Sequence, residues 1–271
     1  MKKSIAILVG FLLLVSALGC GIFAPKNEKR LTIFVPCSIF AAFCEILDAY
    51  KKDNPDVRVS FDTGNSVVLM RKVLHKNARP DVYIGTGPLE IESLIDKGII
   101  DATTKTEITA DSIILVTPSL NPRSIKNILD LARSDVKSIA IPEPSVNSSG
   151  KYAVSAFKRL GLWDSIKDKV IFTEFGRHTR NYIMQNKVDA GILYRSCLYE
   201  DLKAYEDIIA PKEIFVVSDI LKGSGEYVPS YIGILKSSKD KKLAKEFVDY
   251  MISSKSKAIL KKWEGKEIAG K

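Results

Sequence analysis

Residues 31–66 read LTIFVPCSIFAAFCEILDAYKKDNPDVRVSFDTGNS, and this stretch decides the fold. Leu31 to Val35 is a short apolar strand that stops at Pro36-Cys37-Ser38. An amphipathic helix begins at once, with Ile39, Phe40, Phe43, Ile46, Leu47 and Tyr50 on one apolar stripe. Val57 to Phe61 alternates like a strand and stops at Thr63-Gly64-Asn65-Ser66, and helix returns over Val67 to His75. The same junction recurs at Asn147-Ser148-Ser149-Gly150. Each junction sets a serine beside the free N–H groups of a helix N-terminus, where an anion is favoured. One such serine is only an N-cap. Three of them converging on a cleft would form an oxyanion receptor.

The rhythm continues outward from this stretch. Asp81 to Gly85 reads as a third strand, followed by a helix through Glu90, Leu94 and Ile95 that Gly98 ends. Ser112 to Thr117 reads as a fourth strand, broken by Pro118. After Pro118 the pattern restarts: helix over Ser124 to Leu131, strand over Ser138 to Ile141, helix over Lys151 to Leu160, strand over Val170 to Phe172, helix over His178 to Asn186, strand over Ala190 to Leu193. Ile214 to Val217 and Tyr231 to Leu235 read as strands returning to the first unit, before helices over Leu243 to Ile252 and Ser256 to Trp263. Such alternation predicts two α/β lobes with mostly parallel sheets and ligand contacts at the carboxyl ends of strands. The expected division puts residues 31–116 and 214–271 in lobe 1 and 117–213 in lobe 2.

Residues 1–20 read as a secretory signal peptide: Lys2-Lys3, an apolar run from Ile5 to Ala17, then Gly19-Cys20. A cysteine after a small residue at that point resembles the lipobox of bacterial lipoproteins, which makes Cys20 the expected lipidation site and membrane anchor. Residues 21–30 then form a short polar tether, and the mature chain is expected outside the cytoplasm. Nothing later approaches 18 uninterrupted apolar residues. The formal charge is +9, and removing Lys2 and Lys3 leaves +7. No basic run is interleaved with aromatics, so nucleic acid is not an expected partner. With Cys20 lipidated, Cys37, Cys44 and Cys197 remain, an odd count without CxxC spacing that argues against a disulfide framework, and two histidines argue against a zinc site.

Several segments together resemble the molybdate-binding proteins of ABC importers. They are Asp81-Val82-Tyr83-Ile84-Gly85, Leu94-Ile95-Asp96-Lys97-Gly98-Ile99-Ile100-Asp101, Ser112 to Pro118, Ile141-Pro142-Glu143-Pro144, Ser149-Gly150-Lys151-Tyr152-Ala153, Leu160 to Asp164 and Gly191-Ile192-Leu193-Tyr194. The resemblance runs from about Leu31 to Lys262. It implies an α/β, two-lobed type II periplasmic-binding-protein fold, each lobe a mostly parallel sheet flanked by helices, with the ligand in the interlobe cleft. It also implies a non-catalytic, monomeric protein without cofactor, which captures molybdate or tungstate as the oxyanion and delivers it to an ABC permease. By position, Ser38 and Ser66 would donate hydroxyl protons, Ser149 and Gly176 backbone N–H groups, and Tyr194 its phenol; no side chain would ligate the metal directly. Cys37 stands where Ala or Gly is usual, the loop before Ser66 is longer by two residues, and Phe175-Gly176-Arg177-His178 is unusual.

Three other readings stay open on the sequence. Sulfate or phosphate could fill a site of the same donors. A Cys37 or Ser38 nucleophile with His178 as base would make an enzyme, although no GxSxG elbow or Walker loop supports it. Ferric iron fits poorly, because the chain has no Tyr-Tyr pair. Asp62 and Glu143 flank the junctions and would repel a dianion, so they are expected to point away or pair elsewhere.

Overall fold

The computed structural model describes residues 29–199, 213–221 and 227–264. The expected signal peptide, Cys20 and most of the tether lie outside the described residues. The chain opens with β1 (Lys29–Pro36), a 3-10 turn over Cys37–Ile39 and α1 (Phe40–Asp53), then β2 (Val57–Gly64), α2 (Ser66–His75), β3 (Val82–Thr86), α3 (Pro88–Asp96) and β4 (Thr106–Asp111). A second unit follows: β5 (Ile113–Pro118), β6 (Ile139–Pro142), α4 (Ser148–Arg159), α5 (Trp163–Ile166), β7 (Val170–Thr173), α6 (Gly176–Met184), β8 (Ala190–Tyr194) and β9 (Ile214–Asp219). The chain then returns through β10 (Val228–Ile234), α7 (Lys241–Met251) and α8 (Ser254–Glu264).

Two five-stranded sheets result, ordered β2-β1-β3-β10-β4 and β7-β6-β8-β5-β9. Their plans match. In the first, β1 runs parallel to β2 and β3, and β10 is antiparallel to β3 and β4. In the second, β6 runs parallel to β7 and β8, and β5 is antiparallel to β8 and β9. Each sheet is therefore mixed, with four strands running one way and one, β10 or β5, against them; three of the four are adjacent, and their carboxyl ends share one edge. Period-two alternation splits the first sheet between two cores. Ile33, Val35, Val82 and Ile84 pack with Phe43, Ile46 and Phe247, while Phe34 and Tyr83 pack with Val67, Leu69, Ile91 and Leu94. Edge-on rings lock α7 to α1, with Tyr50 and Phe247 centroids 5.1 Å apart. The second sheet has its own core around Ile141, Phe157, Ile183 and Ile192.

Three expected elements are placed differently. Sequence order assigns Ser112–Thr117 and Ile214–Val217 to the first lobe, but hydrogen bonding puts both in the second sheet as β5 and β9. The crossover from β4 takes one residue, Ser112, and Ile113–Pro118 is buried throughout, so its pattern fits the middle of either sheet. The second crossover, between β9 and β10, lies later than expected. Residues 124–131 do not form an α-helix. Asn121 and Ser124 adopt positive φ, and the Asn121 side chain accepts from Ile125 N–H (2.9 Å) and donates to its carbonyl (2.8 Å). That local bonding wins over the helix, leaving a 3-10 stretch over Ile128–Ala132 capped by Asn127 and Asp130. Strand β4 is an element that the alternation does not reveal.

Close packing at the start of α4 gives a first test. A Cβ on Gly150 would lie 1.9 Å from the Pro142 carbonyl oxygen. Gly150→Ala should lower the unfolding free energy by about 1–3 kcal/mol in urea titrations. An unchanged midpoint would contradict this fit of α4 against β6.

Candidate anion-binding site

The five expected anion contacts all follow or end parallel strands, on the side of their carboxyl ends. Ser38 follows β1, Ser66 follows β2, Ser149 lies in the first turn of α4 after β6, Gly176 starts α6 after β7, and Tyr194 ends β8. This is where an open α/β sheet presents its loops and helix N-termini to a ligand.

Three of the five meet at a residue that sequence reasoning missed, Thr86, the last residue of β3. Ser38 Oγ lies 2.5 Å from Thr86 Oγ1. The Thr86 N–H donates to Ser66 Oγ at 2.9 Å. From the second lobe, Tyr194 donates its hydroxyl to the Thr86 carbonyl at 3.5 Å. Because Ser66 Oγ accepts this bond, its own proton is available to another acceptor. One of the two protons in the Ser38–Thr86 pair is likewise left over. Tyr83, buried beneath, donates to the Ser66 carbonyl at 3.0 Å and fixes the start of α2. A hydroxyl ending the buried strand, just before Gly87, was the sequence signal that could have found Thr86.

The serines are not the helix caps. Asn65 caps α2 by accepting from Val67 N–H, and Asn147 caps α4 by accepting from Ser149 N–H, each at 2.9 Å. An asparagine in the cap position leaves the Ser66 hydroxyl to face elsewhere. Ser149 is fully buried, and both its N–H and its hydroxyl donate to Asn147 Oδ1, at 2.9 and 2.6 Å. At Gly176 any side chain is excluded, since a Cβ would lie 2.6 Å from Cys197 Sγ, and Phe175 makes no side-chain cap to α6. Among the described residues, neither Ser149 nor Gly176 hydrogen-bonds to the Thr86 cluster. Buried Arg180, also missed in the sequence, ties α6 to the turn after β8 through a 3.3 Å bond to the Cys197 carbonyl.

The lobes touch beside this cluster. Ser148 packs on Gly87, whose φ is +98° and whose Cβ, if present, would lie 2.2 Å from the serine side chain. The Ser148 N–H donates to Glu90 Oε1 at 3.2 Å, its hydroxyl pairs with Glu90 Oε2, and its Oγ accepts from Leu89 N–H at 3.2 Å. Further out, Arg71 of α2 reaches Glu174 before α6 at 2.6 Å. His178 stacks on Phe175 with centroids 4.2 Å apart and lies 4.0 Å from the same glutamate.

Carboxylates near the cleft are either paired or pushed toward the neutral form. Asp62 binds Lys72 at 2.6 Å, and Glu143 accepts from Ser145 N–H and Oγ at 3.2 and 2.9 Å. Burial pushes Glu90 up to about 7, against the opposing bonds from Ser148, and Asp111 up to about 6, against those from Ser196 and Ser112. Burial also holds the Tyr194 phenol well above its usual range, so it stays a proton donor. Among the described residues, no group of three or more His, Cys, Asp or Glu could hold a metal ion.

These features define a two-lobed receptor, and a sequence model of bacterial extracellular solute-binding proteins matches residues 31–263, so the chain belongs to that family. Among its relatives, YvgL of Bacillus subtilis, assigned as an ABC transporter substrate-binding lipoprotein, is 26% identical over 261 residues, 96% of this chain and 95% of that one. The molybdate-binding protein ModA of Escherichia coli is 24% identical over 247 residues, 89% of this chain and 90% of that one. Among solved structures, the sulfate-binding protein SubI of Mycobacterium tuberculosis shares the fold with a TM-score of 0.67 at 17% identity, covering 86% of this chain and 85% of that one. No helix among the described residues is long and apolar enough to cross a membrane.

The raised carboxyls make stability depend on pH. A carboxyl with a folded value above its unfolded one stabilises fully below the unfolded value and loses that contribution as pH rises through the folded one. For Glu90 the window runs from 4.5 to about 7. Unfolding free energy should therefore fall between pH 5 and 7, by up to about 1.4 kcal/mol per unit for one proton. Glu90→Gln should flatten most of that slope in urea titrations at stepped pH. An equal slope in the variant would show that Glu90 is ionised in the fold.

Proposed function

We propose that this protein is the extracytoplasmic solute-binding component of an ABC importer, and that it captures molybdate, and tungstate with it, between its lobes for delivery to the permease. The observation that carries the reading is the meeting of Ser38, Ser66 and Tyr194 at Thr86, two lobes contributing hydroxyls to one point. A buried oxyanion is costly unless hydrogen-bonded, and hydroxyls with helix N-termini supply donors without a cation. In the bound state Ser38 and Ser66 donate their spare protons, and Tyr194 turns its proton from the Thr86 carbonyl to the anion. Gly176 and Ser149 add backbone N–H groups from the second lobe, Ser149 exchanging its bond to Asn147 for one to the anion.

Neutral donors do not select among dianions by charge, so selection rests on the size of the closed cavity. Molybdate and tungstate are nearly the same size, and both are larger than sulfate. Similarity to molybdate-binding ModA over 89% of the chain favours the larger pair. The net positive charge of the mature chain adds steering. Lipidation of Cys20 would hold a monomeric receptor at the membrane beside its permease. Binding rather than catalysis is favoured by membership of the solute-binding family.

Titration calorimetry with molybdate, tungstate and sulfate tests the reading. The first two should bind tightly and sulfate weakly; equal or stronger sulfate binding would sink the size argument. Ser38→Ala and Ser66→Ala should each weaken molybdate binding by about 1–3 kcal/mol. If both bind as the unaltered protein does, the site is elsewhere.

A further inference from the structure

Ser230 lies near the start of β10, the strand by which the chain re-enters the first sheet from the second. Its side chain is only 1% exposed, yet among the described residues its Oγ has no hydrogen-bond partner. Buried hydroxyls are almost always bonded, so one without a partner needs a reason. Its position supplies one. Ser230 pairs directly with Thr86 across the antiparallel β10–β3 ladder. Directly opposed residues project from the same face, with Cβ atoms about 4.5–5.5 Å apart. On that face the Thr86 hydroxyl meets Ser38 Oγ. The Ser230 hydroxyl therefore stands beside the donors of the candidate site. Its neighbour on the other flank is Thr109 of β4, where the ladder shifts register.

We propose that Ser230 is a further anion-binding residue, whose hydroxyl proton completes the first lobe's donors and ties the bound oxyanion to the strand that joins the lobes. The inference rests on the oxyanion reading given above. Unlike the Ser149 hydroxyl, which already donates to Asn147, the Ser230 proton can go to a ligand oxygen without breaking an internal bond. The strand itself links the two cores: Val228 packs in the second lobe, and Ile232 and Ile234 pack in the first. An anion held by Ser230 restrains the chain where the lobes connect.

A serine with only a structural role at this place would be replaced to advantage by alanine, which removes the unpaired hydroxyl. A ligand-binding serine gives the opposite result in affinity. Ser230→Ala and Ser230→Cys should be compared with Ser38→Ala, by molybdate calorimetry and by thermal unfolding without anion. Both Ser230 variants should lose about tenfold or more in affinity, the thiol being a weak donor. The anion-free Ser230→Ala protein should melt at the unaltered temperature or above it. Full affinity in Ser230→Ala, with Ser38→Ala weakened, would overturn the inference and leave the oxyanion reading in place. A lower melting temperature in anion-free Ser230→Ala, matching its loss of affinity, would assign Ser230 a structural role and also overturn it. Absence of molybdate binding in the unaltered protein would remove the reading and the inference together.

Discussion

All three polar groups of Thr86 are committed inside the cleft, and the arrangement of the site depends on that residue. Its N–H orients Ser66, its hydroxyl meets Ser38, and its carbonyl receives Tyr194 from the other lobe. The strand order makes this possible. Because β3 lies between β1 and β10, its carboxyl end is flanked on one side by the turn carrying Ser38 and on the other by Ser230. Buried polar groups in a low-dielectric setting are costly when unpaired and mutually reinforcing when paired. A cluster of hydroxyls with spare protons is thus poised for an acceptor.

Closure of the lobes is built from contacts of unequal weight. The Arg71–Glu174 pair is largely in solvent on both sides, and such pairs contribute about 0–1 kcal/mol. The Ser148 contact is different in kind. It is buried, it needs a glycine at position 87 because a Cβ would collide with Ser148, and it joins a fully buried carboxyl to the first turn of α4. Glu90 has no ion pair among the described residues, so burial favours its neutral form. A neutral carboxyl beside the proposed oxyanion site avoids the repulsion that an ionised one would bring.

Much of this was legible in the sequence, for physical reasons. The strand-to-helix junctions at Ser38, Ser66 and Ser149 were readable because apolar periodicity changes abruptly there, and the ordered segments from Asp81 to Tyr194 carried the family resemblance. What alternation could not show was which sheet a fully buried strand joins, and so β5 and β9 were expected in the wrong lobe. Capping was also hidden: Asn65 and Asn147 take the cap positions that pattern alone would allow to the serines. Thr86 carries only a faint local signature, a hydroxyl before Gly87, and Ser230 carries none. Their significance arises from cross-strand register, which brings together residues distant in the chain.

On the proposed reading an oxyanion sits where hydroxyls from both lobes meet at Thr86. Anomalous diffraction from crystals grown with tungstate would locate it, since the heavy atom marks its own position. A single strong peak is expected within hydrogen-bonding reach, through its oxygens, of Ser38, Ser66 and Tyr194. A peak elsewhere, or none in crystals of a protein that binds tungstate in solution, would contradict it.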